Sequence, residues 1–163
     1  MIIETEGDML TNVKQGSILC HQVNCQGVAG AGIAAQIKDK FPGWYESYKQ
    51  YCDTFEHKID LMGTIHAYNA APGVIICSIF GQLSYGKDKV QTDYDALEMA
   101  LKKIERETAI KNMNDGTGWT VHVPYMMSCG LAGGKWQIVR DMLEYIFGNS
   151  PVKLYIHKLP GAR

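Results

Sequence analysis

The stretch VNCQGVAGAGIAAQIKDKFP, Val23 to Pro42, decides how this chain is read, because Gly30 to Ala35 matches G-x-G-x-x-A at the start of a helix pattern. A dinucleotide-binding turn of that form follows its strand directly. It also needs an acid about 20 residues on, at the end of a second strand. Both conditions fail. The strand pattern Ser17 to Val23 is separated from Gly30 by NCQGVA, and GWYESYKQYCD spaces Trp44, Tyr48 and Tyr51 as a helix does. What remains is a strand ending at Asn24, a loop, and a helix whose start is wrapped in small residues. Free amides at a helix start attract anions, and Gly30, Ala31 and Gly32 let a phosphate approach the backbone. The same glycines would also serve close packing of helix on sheet.

A second glycine-rich turn, SCGLAGGKW from Ser128 to Trp136, repeats the arrangement: it follows a strand pattern and opens a helix. Two such turns at neighbouring strand ends suit a diphosphate better than a monophosphate.

Working outward, apolar runs bounded by turn residues predict strands at Ile2 to Glu6, Ser17 to Val23, Gly63 to Tyr68, Val74 to Phe80, Trp119 to Pro124 and Val152 to His157. VIICSIF, Val74 to Phe80, is apolar almost throughout and reads as a central strand covered on both faces. Ile33, Ile37 and Phe41 form one stripe of a helix that ends before Pro42, and a second helical stretch follows. Tyr94, Leu97, Leu101, Ile104 and Thr108 share a face of a third helix, with Thr92 and Asp95 resembling a capping box. Trp136, Val139, Leu143 and Ile146 mark a fourth, closed by Gly148 and Asn149. Strands alternating with helices predict an α/β protein, a three-layer α/β/α sandwich around a mixed sheet of about six strands, with ligands at the strand carboxyl ends.

Composition excludes several classes. The 163 residues suffice for one core, without a linker to divide them, so a single domain over 1–163 is expected. Sixteen basic against 17 acidic residues, with no basic block, argue against bulk nucleic-acid binding. MIIETEGDML has no long apolar run, so neither leader nor membrane span is expected, and a cytoplasmic monomer is. The five cysteines form no C-x-x-C pair, and Cys20, His21 and Cys25 lack a fourth ligand at a recognisable spacing. No metal and no cofactor is expected.

Together EGDML (Glu6 to Leu10), HQVNCQGVAGAGIA, IFGQLSYGKDKVQTDYDAL and VPYMMSCGLAGGKW resemble the macrodomain, the ADP-ribose-binding fold, over nearly the whole chain. The resemblance implies that Asp8, with Met9 beside it, accepts a hydrogen bond from the adenine amino group and that Asn24 holds the distal ribose. It implies that Gly30, Ala31, Gly32 and Ile33 form the first phosphate loop. Ser128, Cys129, Gly130, Leu131, Ala132 and Gly133 would form the second. H-x-x-N before the glycines is most similar to the subgroup that removes the 1″-phosphate from ADP-ribose. His21, Asn24 and Asp88 are then the expected catalytic groups, with Asp93 behind Asp88; His21 could instead be a satisfied core histidine. Two alternatives stay open: a glycohydrolase acting on ADP-ribosylated protein or nucleic acid, and a non-catalytic ADP-ribose-binding module. The glycohydrolase subgroup uses a lysine just after the central strand, where this chain reads SIFGQ, so that chemistry would depend on Lys87.

Overall fold

The structure, a computed structural model, describes residues 1–162. Six strands form one sheet: β1 (Ile2–Glu6), β2 (Ser17–Asn24), β3 (Ile65–Ala71), β4 (Val74–Gln82), β5 (Thr120–Pro124) and β6 (Leu154–Lys158). Their order is β1-β6-β5-β2-β4-β3, with every neighbour parallel except β3, which runs antiparallel to β4. The sheet is therefore mixed, as expected. β2 and β4 are buried along nearly their whole length, as strands covered on both faces must be, whereas β5 alternates.

Helices α1 (Gly32–Lys40) and α2 (Pro42–Asp53) cover one face, burying Ile37, Trp44, Tyr48 and Cys52 against Leu19, Val23, Ile76 and Phe80. Helices α3 (Tyr94–Asp115) and α4 (Trp136–Phe147) cover the other, where Leu97, Leu101, Ile104, Val139 and Leu143 meet Ile18, Ile79, Val121 and Ile156. The apolar stripes expected for all four helices face these two cores. Strand ends shift by up to three residues, β3 running Ile65–Ala71 and β4 on to Gln82, and the cap of α3 is not Thr92 but Asp93, whose carboxylate accepts from Ala96 N at 3.0 Å. Thr92 is drawn off elsewhere, since its hydroxyl donates to Ser128 O at 2.7 Å.

The parallel strands β2, β4 and β5 all point their carboxyl ends to one rim. There β2 passes into the first glycine loop and β5 into the second. At that rim the register of β2 and β4 slips: Val23 faces Phe80 while Asn24 faces Gln82, leaving Gly81 as the extra residue. Among the described residues no helix is long and apolar enough to cross a membrane.

Candidate functional site

The first loop is folded by Asn24. Its Oδ1 accepts from the backbone N–H groups of Gln26 (3.0 Å) and Val28 (3.3 Å), and its Nδ2 donates to Val28 O at 2.8 Å. From α2, the Tyr48 hydroxyl donates to Asn24 O at 2.6 Å. The amide expected on the ribose thus organises its own loop, with one N–H left over for a ligand. Behind it α1 has Ala31 at its N-cap and no side-chain cap, so its first-turn amides are unclaimed by any cap.

The second loop is shaped by left-handed backbone at Met126 (φ 63°) and Ser128 (φ 69°). It is tied to the segment before α3: Gln91 and Thr92 amides donate to Ala132 O at 2.8 and 3.2 Å. Gly134 N donates to Ser128 O at 2.9 Å, and a Cβ on Gly134 would come within 2.5 Å of that same oxygen. Only glycine lets the turn close this tightly. Across the gap, Leu131 reaches the first loop, its Cδ1 lying 3.8 Å from where a Cβ on Gly32 would stand.

Between the loops lies a cleft of about 610 Å³, within the range of a small-molecule site. Gln22, Asn24 and Gln82 line it from the strand ends, Gly30 to Ala34 from α1, and Tyr125 to Ser128 with Gly130 to Ala132 from the second loop. The loop after β4 adds Tyr85, Gly86 and Lys87, and Lys87 carries the only formal charge among the described lining residues. The expected phosphate-loop residues Gly30, Ala31, Gly32, Ile33, Ser128, Gly130, Leu131 and Ala132 therefore converge, together with Asn24.

Six expected residues do not reach the cleft. His21 is fully buried on the opposite face of β2, edge-on to Trp44 at 5.0 Å. Its Nε2 is 2.9 Å from Ser78 Oγ, to which the Trp44 indole N–H also donates at 2.9 Å, so the Ser78 proton is free to go to His21. Burial first, and then His66, push the His21 pKa down to about 3. The last three residues of β2, Gln22, Val23 and Asn24, line the cleft, and His21 lies deeper along the strand, on the Trp44 side. Asp88 is exposed and turned to Gln91, whose Nε2 donates to its Oδ1 at 3.4 Å. His21 and Asp88 are thus not brought together at the cleft.

Met9 is buried in the core under α1 and α2. Asp8 caps its own turn by accepting from Leu10 N at 2.9 Å, at the β1 side of the sheet. Cys129 donates its thiol to Met127 O at 3.2 Å, and burial pushes its pKa up to about 11, which disfavours a thiolate. Gly133 backs onto Val90, with 3.4 Å from a would-be Cβ to the Val90 Cα. Among the described residues no group of three or more His, Cys, Asp or Glu is placed to hold a metal ion.

Gln22, Gln82, Tyr85 and Tyr125 escaped sequence reasoning as lining residues. Gln22 had one available signal, being two residues before Asn24 on a strand and so on its face.

A fold of six mixed strands between helix pairs, with two glycine turns facing across one rim, defines an α/β sandwich domain with a cleft at its strand ends. The Macro domain family model matches residues 20–143, and this chain belongs to the macrodomain family. Among curated proteins it is 29% identical over 180 residues to the ADP-ribose 1″-phosphate phosphatase of Debaryomyces hansenii, covering 96% of this chain and 99% of the relative. Among solved structures it is similar to a protein of unknown function from Bacteroides thetaiotaomicron, with TM-score 0.80, 23% identity, and 97% and 98% of the two chains covered. It is also similar to DarTG of Thermosipho africanus in complex with ADP-ribose, with TM-score 0.74, 21% identity, and 99% of this chain against 43% of that one.

Proposed function

We propose that this macrodomain binds ADP-ribose in the cleft and hydrolyses the phosphate monoester of ADP-ribose 1″-phosphate. The observation that carries the reading is the pair of facing glycine loops, the first with the uncapped amides of α1 and neither bearing a carboxylate, around a cleft whose single charge among the described residues is a cation. That arrangement suits a diphosphate. The Debaryomyces hansenii relative, aligned over nearly its full length, supplies the phosphatase activity by its name.

In this reading the adenosine end lies toward Asp8 and the distal ribose toward Gln82, at the other side of the sheet. Water attacks phosphorus, the bond from phosphorus to the 1″ oxygen breaks, and the proton that Asp88 takes from the water is returned to the leaving sugar oxygen. Lys87 neutralises charge on the transferred phosphate, and Asp88 takes the proton from the attacking water once its side chain leaves Gln91. His21 supports β2 through its contacts with Ser78 and Trp44. Incubating the protein with ADP-ribose 1″-phosphate and following phosphate release tests this: release is expected, falling roughly 100-fold in Lys87→Ala. Binding of ADP-ribose with no release would leave a reader and remove the hydrolase.

The position of Lys87 in the cleft favours one second reading, an ADP-ribosyl glycohydrolase. Removal of label from ADP-ribosylated protein or nucleic acid, abolished by Lys87→Ala, would select it over phosphate release.

A further inference from the structure

Three polar side chains, Gln22, Gln82 and Thr92, join the strand end to the second loop, and their donors fix the direction of every link. Thr92 donates its only hydroxyl proton to Ser128 O at 2.7 Å, so its oxygen can only accept from Gln22 Nε2, at 3.0 Å. Gln82 turns its Nε2 to Ser84 O at 2.8 Å, which leaves its Oε1 as acceptor for the same Gln22 Nε2, at 2.9 Å. Both N–H groups of Gln22 are therefore spent. Flipping its amide would set oxygen against two acceptors, so Gln22 Oε1 has one possible orientation. That oxygen is buried and has no partner in the chain. It lies over Gly81, the extra residue of the strand slip, where any side chain would collide with it.

A buried carbonyl with no donor costs stability. Other atoms of Gln22 line the cleft while Oε1 is covered against Gly81, so a ligand repairs the loss by drawing Oε1 off Gly81 toward the cleft. We propose that Gln22 is a specificity-determining residue: its Oε1 accepts a hydrogen bond from a hydroxyl of the distal ribose. This rests on the ADP-ribose reading above, which puts the distal ribose at the β2 and β4 ends. An acceptor pairs with a hydroxyl and repels a dianionic phosphate, so the same atom turns the monoester away from Gln22 and toward Lys87. The site thereby selects a nucleoside diphosphate that carries a terminal sugar with a free hydroxyl.

Calorimetric titration with ADP-ribose and with ADP, which lacks the distal ribose, tests the assignment. Gln22→Met keeps the length and loses the acceptor. It should weaken ADP-ribose roughly three- to tenfold and leave ADP unchanged. Thr92→Val cuts the tie to the second loop instead and should weaken both nucleotides alike. Should Gln22→Met weaken both equally, or neither, the assignment is overturned, with melting temperatures showing that each variant is folded. A wild-type protein that binds neither nucleotide overturns the ADP-ribose reading itself, and this one with it.

Discussion

At the scale of single residues, the depth of a side chain decides its chemistry. His21 has the residue type of a general base, but its environment denies it the role. Its pKa lies near 3 in the fold, against an ordinary value of 6.5, and burial with His157 holds His122 near 4. Because these folded values lie below the unfolded ones, the unfolded chain binds more protons at mildly acid pH. The stability they contribute is present above about pH 6.5 and is lost as pH falls toward 4. Each such histidine costs up to about 1.4 kcal/mol per pH unit across that window. Thermal melts between pH 7.5 and 4.5 should show the midpoint falling, with a shallower fall in His21→Gln. A flat profile would show that these histidines are hydrated and charged in the fold. Asn24 carries the opposite lesson, since an amide expected to face the ligand uses most of its hydrogen bonds to shape the loop that faces it.

At the scale of elements, periodicity was a good guide and polar ends were not. The alternation of β5 and the 22-residue stripe of α3 are legible because burial on one side imposes a spacing of two or of 3.6 along the chain. The start of α3 was misread by one residue. Thr92 and Asp93 are both good caps by type; what separates them is that Ser128 O, 36 residues away, claims the threonine hydroxyl. Asp93→Ala should therefore lower stability by about 1 kcal/mol. A urea unfolding midpoint unchanged from wild type would show that the cap contributes nothing.

At the scale of the whole molecule, the site exists because sheet order brings β2 beside both β4 and β5, so that loops 100 residues apart face each other. Titrating ADP-ribose should shift the backbone amides of Val28 to Ala34 and of Met126 to Gly134 together, with equal midpoints, while those of the β3 edge stay still. Movement in one loop alone would break the two-sided grip. Local spacing along the chain was enough to reveal the strands, the four helices and both glycine turns, because each depends on neighbours within a few positions. Which partners Gln22, His21 and Asp88 meet was settled only in three dimensions. A strand's facing, a hydroxyl's partner and a loop's fold depend on atoms that the chain order holds far apart.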